Sequence, residues 1–204
     1  ADIVKAAKKL TLSVQGRTIV FEDETESAIL ADYYLFDYRP AGKSLAETCV
    51  FSPGELTPLE AEIHQAKLAS HTSLFEVAAL HDEAPKILLR DRLNKDAPEF
   101  WLTALALSET LHRIGAKFLM FIRVVSLRGL HMTGGFSFTF DPKYEFALVD
   151  GYRREMWSVP LPQQAHRRTI YFRRLGRKFG LPNEYADVVP PAPGFLAGLR
   201  KQTT

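Results

Sequence analysis

One cysteine, Cys49, stands in a chain of 204 residues. An internal disulfide, a CxxC redox pair and a zinc ribbon are therefore excluded. Long apolar runs are missing as well: stretches such as Phe118–Ile122 are cut by charge well short of the ~18 residues a membrane span requires. The opening Ala-Asp-Ile-Val-Lys has none of the basic-then-apolar grammar of a secretion signal, so a soluble, cytoplasmic protein is expected. It also has no initiating methionine, as expected of a processed chain or a piece of a longer one. The six histidines form no HExxH or His-x-His pattern, and zinc catalysis needs three close ligands and an open fourth position. A Gly-x-Ser-x-Gly nucleophile elbow is absent too. No metal, cofactor or catalytic residue is expected from these patterns.

What the chain does contain is ordinary globular material with one asymmetry. Hydrophobic residues make up 46% and charged residues 25%, and a chain of this length buries roughly 70% of its unfolded surface on folding. Net charge is only +2, yet the two parts differ. From Gly151 onward ten Lys or Arg face three acids, a balance of +7, while residues 1–150 hold 16 bases and 21 acids, a balance of −5. Such halves attract one another, or the basic one attracts an anionic partner.

The pattern reads helix, then strand, then helix. Asp2–Leu10 is expected as a short helix, Leu12–Phe21 as two short strands about Gly16 or an irregular arm, and Ala28–Asp37 as a helix ended by Pro40-Ala41-Gly42. Ser44 with Glu47 and Thr57 with Glu60 are capping-box pairs, the second reinforced by Pro58. The helix from Pro58 should run to about Ser70 and bury Leu59, Ile63, Ala66 and Leu68 or Ala69. Leu74–Leu80, Lys86–Leu93, Phe100–Leu107, Lys117–Leu127 and Leu130–Phe140 read as strands, with Ser108–Gly115 among the separators. Gly134-Gly135 inside the last strand predicts a bulge or bend. Five short strands in about 70 residues suggest a small SH3-like or OB-like barrel, or a curved antiparallel sheet. Tyr144, Leu148, Tyr152 and Met156 recur every four residues after an Asp141-Pro142 cap, and Gln163–Phe179 forms a second helix ended by Gly180. Val188–Gly194 reads as a polyproline stretch. The expected fold is α+β: a helical segment 1–72, a barrel or sheet 73–140 and a basic helical region 141–204, read as parts of one unit by virtue of their short connections.

Tyr33-Tyr-Leu-Phe-Asp-Tyr-Arg39 with Gly42-Lys-Ser-Leu45, Thr72–Val77 leading to Leu88–Leu93, and Phe121–Val125 followed by Thr133-Gly134 occur in this order. Together they resemble an uncharacterised bacterial domain family sometimes linked to SEC-C zinc motifs, over residues 28–140. The cysteine cluster of that motif is absent here, so the resemblance implies a helical-then-β layout and no activity.

Gly42-Lys43-Ser44 fails as a P-loop, because Asp37 stands where the first glycine is needed and would repel a phosphate. Cys49 has no adjacent base and reads as a buried structural thiol. Arg90-Asp91-Arg92 reads as a surface ion-pair cluster. The remaining signal is the last helix. Ala165, Phe172, Leu175 and Phe179 share an apolar arc, Arg167, Arg174, Arg177 and Lys178 lie opposite, and Arg173 flanks them. Such a row neutralises nucleic-acid phosphates, with Tyr171 placed to stack on an unpaired base. An acidic protein or an anionic membrane surface would fit the same row, as would the chain's own acidic part. The expected function is a non-enzymatic binding or adaptor module. The alternative is an enzyme whose pocket gathers His112, His131, Arg123 or Asp91.

Overall fold

The computed structural model describes residues 2–52, 54–114 and 117–181; the polyproline stretch lies outside them. Helix α1 (Asp2–Lys9) precedes a hairpin of β1 (Ser13–Gln15) and β2 (Thr18–Val20). Gly16 turns this hairpin at φ +63, a conformation that suits a residue without Cβ. Helix α2 (Glu24–Asp32) starts where the Asp23 carboxylate accepts the amide of Glu26. It runs directly into a π-helical turn, Tyr33–Asp37, closed by the Tyr38 amide on the Tyr33 carbonyl. Both capping boxes form, at the starts of α3 (Leu45–Thr48) and α4 (Pro58–Leu68).

The barrel follows: β3 (His71–Leu80), β4 (Lys86–Asp91), β5 (Phe100–Thr103), helix α5 (Leu105–Ile114), β6 (Leu119–Leu127) and β7 (Leu130–Phe140). The closed order is β3-β4-β5-β7-β6, antiparallel except where β5 meets β7 in parallel. Of the two small barrels expected, this order with a helix between the third and fourth strands is that of the OB type. All five expected strands exist, but the third is shorter. Residues 105–114, expected as the end of a strand and a loop, are α5, which inserts Leu111 among the barrel's interior side chains. Leu, Ala and Glu there are good helix formers. Opposite Ile122–Val124 the register slips so that β7 carries extra residues about Gly134-Gly135, the expected bulge.

After a single 3₁₀ turn at Pro142–Tyr144 come α6 (Glu145–Met156) and α7 (Leu161–Phe179). Two cores result. Inside the barrel lie Phe75, Val77, Ile87, Leu89, Leu102, Met120, Ile122 and Val124. Outside it, Leu74, Leu119, Phe121, Phe136 and Phe140 meet Ile29, Leu30 and Tyr33 from the N-terminal helices and Leu148, Tyr152 and Phe172 from α6 and α7. Phe121 and Phe172 stack at 4.4 Å across this seam. Strand β6 is thus covered on both faces, and its alternate residues Leu119, Phe121 and Arg123 face the helical layer.

Two expectations of burial fail. Helix α4 buries none of its side chains, and Leu59 is 49% exposed. An apolar cleft of ≈ 570 Å³ lies between this helix, Leu35 and Phe36, and the ends of β6 and β7. Cys49 is exposed, because α3 ends at it after a single turn.

Candidate anion-binding site

Helix α7 is long enough to cross the helical layer, and its two sides differ. Thr169, Phe172 and Arg173 are buried, while Arg167, Arg174, Arg177 and Lys178 are exposed as the sequence predicts. Two of those four are held by acids: Arg174 bonds to Glu155 of α6 at 2.6 Å, and Arg177 lies 3.4 Å from Glu22 of the negative part. Such exposed pairs contribute about 0–1 kcal/mol and exchange readily for another anion. Arg173 is no flank of this row; it is buried, donating to Glu26 at 2.6 Å and to Thr11 at 3.0 Å. Tyr171 is not available for stacking, since its ring is in the core and its hydroxyl donates to the Leu148 carbonyl at 3.2 Å. The exposed aromatic near the start of α7 is instead Trp157, in the α6–α7 connection.

At the first turns of α7 the surface opens into a cleft of ≈ 860 Å³. It is lined by Lys9 from the end of α1, by Tyr38, Arg39, Pro40 and Gly42 from the turn after the π-helix, and by Gln163, Ala165, His166 and Arg167. No carboxylate lines it. Arg39 is an ion-pair partner of Glu47, whereas Lys9 and Arg167 have no acidic partner among the described residues. His166 sits at the back, its Nδ1 2.7 Å from the buried Tyr33 hydroxyl and its ring stacked on that tyrosine. Burial, and after it the Lys9 ammonium, hold this imidazole below its ordinary pKa, against the opposite pull of Asp37.

Behind the cleft is a polar network made possible by the π-helical turn. A turn closed by hydrogen bonds five residues apart brings residue i+5 nearer the side of residue i than an α-helical turn would, and Asp32 and Asp37 lie within reach of one guanidinium. Arg123 reaches between them from β6, donating to both oxygens of Asp32 and to Asp37, each at 2.9 Å. Thr169 of α7 donates to the second Asp37 oxygen at 2.6 Å. One guanidinium thus serves two carboxylates in a water-poor place. Burial pushes the Asp32 carboxyl up to about 6; Arg123 opposes that and the like charge of Asp37 adds to it.

The residues named for an enzymatic pocket do not converge. Arg123 belongs to this network; Asp91 accepts Ser73 and the amides of Leu93 and Asn94 in a turn. His131 bonds to Ser126 on the barrel, and His112 bonds within α5. Arg90 and Arg92 form surface ion pairs as expected, with Glu99, Glu76 and Glu145, but Asp91 between them is buried and takes no part. Among the described residues no group of three His, Cys, Asp or Glu is disposed to hold a metal, and no helix is long and apolar enough to cross a membrane. The sequence reading missed Lys9, Tyr38 and His166, which are far apart in the chain; only the position of His166 next to Arg167 hinted at the cleft.

Comparison with known proteins adds a family and no activity. No curated protein and no solved structure matches the chain. A family model does, over residues 1–186, well beyond the span of the sequence resemblance, and its description carries no SEC-C link. The chain therefore belongs to the family of unknown function DUF7986.

Proposed function

We propose that the protein is a non-enzymatic binding module whose anionic partner is a nucleic-acid strand held along the exposed side of α7. The observation that carries this is the cleft lined by Lys9, Arg39, His166 and Arg167 without a carboxylate. Arg174, Arg177 and Lys178 continue the positive side toward the other end of the same helix. Unpaired cations on a rigid element favour an anion, and exposed ion pairs such as Arg174–Glu155 yield to phosphate at little cost. The three sequence regions act as one unit in this reading, supported by the core that α2, β6 and α7 share. A lone exposed thiol suits the reducing cytoplasm, where we place the protein.

Barrels of this connectivity elsewhere bind oligonucleotides on the face of their second and third strands. Here these are β4 and β5, where Trp101 is 38% exposed and edge-on to His81. Fold analogy alone assigns no function, and Arg90 on that side is engaged by Glu76 and Glu99. It is the second reading.

Fluorescent single- and double-stranded RNA and DNA, titrated at low and physiological salt, test both. The wild type should bind with steep salt dependence. Changing Arg167, Arg174, Arg177 and Lys178 together to Gln should lower the salt slope by about 3, at ~0.7–0.9 per phosphate contact. Circular dichroism checks that the variant is folded. Loss in Trp101→Ala instead moves the site to the barrel. No binding of any strand at low salt refutes the nucleic-acid reading and leaves an acidic protein as the partner.

A further inference from the structure

We propose that the cleft between α1, the Tyr38–Gly42 turn and the start of α7 is a binding site for a phosphomonoester, supplied either by the end of a nucleic-acid strand or by a free mononucleotide. The inference deepens the anion-binding reading of α7 and rests on it for the strand-end source only.

The chemistry comes from the set of donors. Lys9 and Arg167 bring two positive charges that no acid neutralises among the described residues. Tyr38 is 7% exposed, lines the cleft, and its hydroxyl makes no hydrogen bond to the described residues. His166 supplies the fourth donor by a tautomer argument. Tyr33 is fully buried, and burial holds its phenol protonated far above the ordinary range. Among the described residues, Nδ1 of His166 is the one acceptor its O–H has, at 2.7 Å. The phenol therefore donates, Nδ1 is bare, and in the neutral ring Nε2 carries the hydrogen.

Four donors with two full charges match the three terminal oxygens and double charge of a phosphomonoester better than the two free oxygens and single charge of a diester within a strand. The volume of ≈ 860 Å³ exceeds what one phosphate fills and lies in the range of small-molecule sites. The charged and titratable groups around the imidazole are Lys9 from α1, Tyr33, Asp37 and Tyr38 from the π-helical segment, Arg39 from the turn and Arg167 from α7. An anion between Lys9 and Arg167 offsets their repulsion of a second imidazole proton, so binding should raise the His166 pKa.

Long-range ¹H–¹⁵N imidazole spectra read this directly, with inorganic phosphate and then adenosine monophosphate added to the full chain. A saturable shift of His166 is expected below about 10 mM ligand, with a raised pKa, and about ten-fold weaker binding in Lys9→Ala/Arg167→Ala. Both of those residues are exposed, so the variant retains its core. In parallel, short strands with a 5′-phosphate, a 3′-phosphate or hydroxyl ends are compared by anisotropy. Preference of about ten-fold for a phosphorylated end assigns the source to strand ends. A saturable His166 shift without strand affinity supports the site, assigns it to free phosphomonoesters and ends the nucleic-acid reading. No saturable shift with either small ligand overturns the proposal, even if strands bind along α7.

Discussion

Replacing Arg123 by Met should be among the most costly single changes in this protein. The guanidinium is buried between Asp32 and Asp37, whose side chains are also about 4% exposed. Methionine keeps most of the stem's packing but leaves two carboxylates with no counter-charge, except that Thr169 still donates to Asp37. Removing one partner of a buried pair costs about 3–5 kcal/mol, which for a chain of this length lowers Tm by roughly 6–20 °C. The loss should depend on pH in a defined direction. Asp32 ionises at about 6 in the folded protein and near 4 when unfolded, so the folded state holds the extra proton between these values. In the wild type this group's contribution to stability is greatest below pH 4, declines through that window and is gone above pH 6, a range of roughly 3 kcal/mol at most. Without Arg123 the Asp32 pKa rises further, so the deficit of the variant should shrink on acidification from pH 7 to 5. Asp32→Asn in the same background should restore part of the stability by removing one unpaired charge. Urea unfolding followed by circular dichroism at pH 5, 6 and 7 measures all three. A deficit below about 1 kcal/mol, or one that does not change with pH, would refute the account of two carboxylates sharing one cation.

Two further outcomes are expected. In Gly176→Ala the new Cβ would stand 2.7 Å from Cδ1 and 3.0 Å from Cγ of Phe138; an overpacking cost of about 1–3 kcal/mol should outweigh the ~1 kcal/mol gained in helix propensity. A rise in Tm would show that α7 can lift from the barrel without loss. Cys49, exposed at the end of α3, should react with Ellman's reagent in native buffer as fast as in urea; protection that needs denaturant to remove would contradict the exposed position.

Much of this architecture was legible locally. Ser44 and Thr57 start helices because a side-chain oxygen and a glutamate three residues on satisfy amides that no preceding turn can reach. Runs rich in branched and aromatic residues marked all five barrel strands, and Gly134-Gly135 marked the bulge. The exposed cations of α7 followed from 3.6-residue periodicity. Helix α5 was hidden because a Leu- and Ala-rich stretch serves either as strand or as helix; the open end of the barrel, which Leu111 plugs, decided it.

The sequence by itself determined where the capped helices and the barrel strands begin and that positive charge gathers late in the chain, since those depend on neighbours within a turn or two. Only the tertiary structure decided how charges from distant segments are used. Arg123 and Arg173 look like any other arginines in a list, yet each is committed to a buried acid 91 and 147 residues away. Tyr171 looked free to stack and is in the core, while Lys9, Tyr38, His166 and Arg167 meet in one cleft. Coulomb energy and desolvation depend on distance and burial, which chain position does not encode.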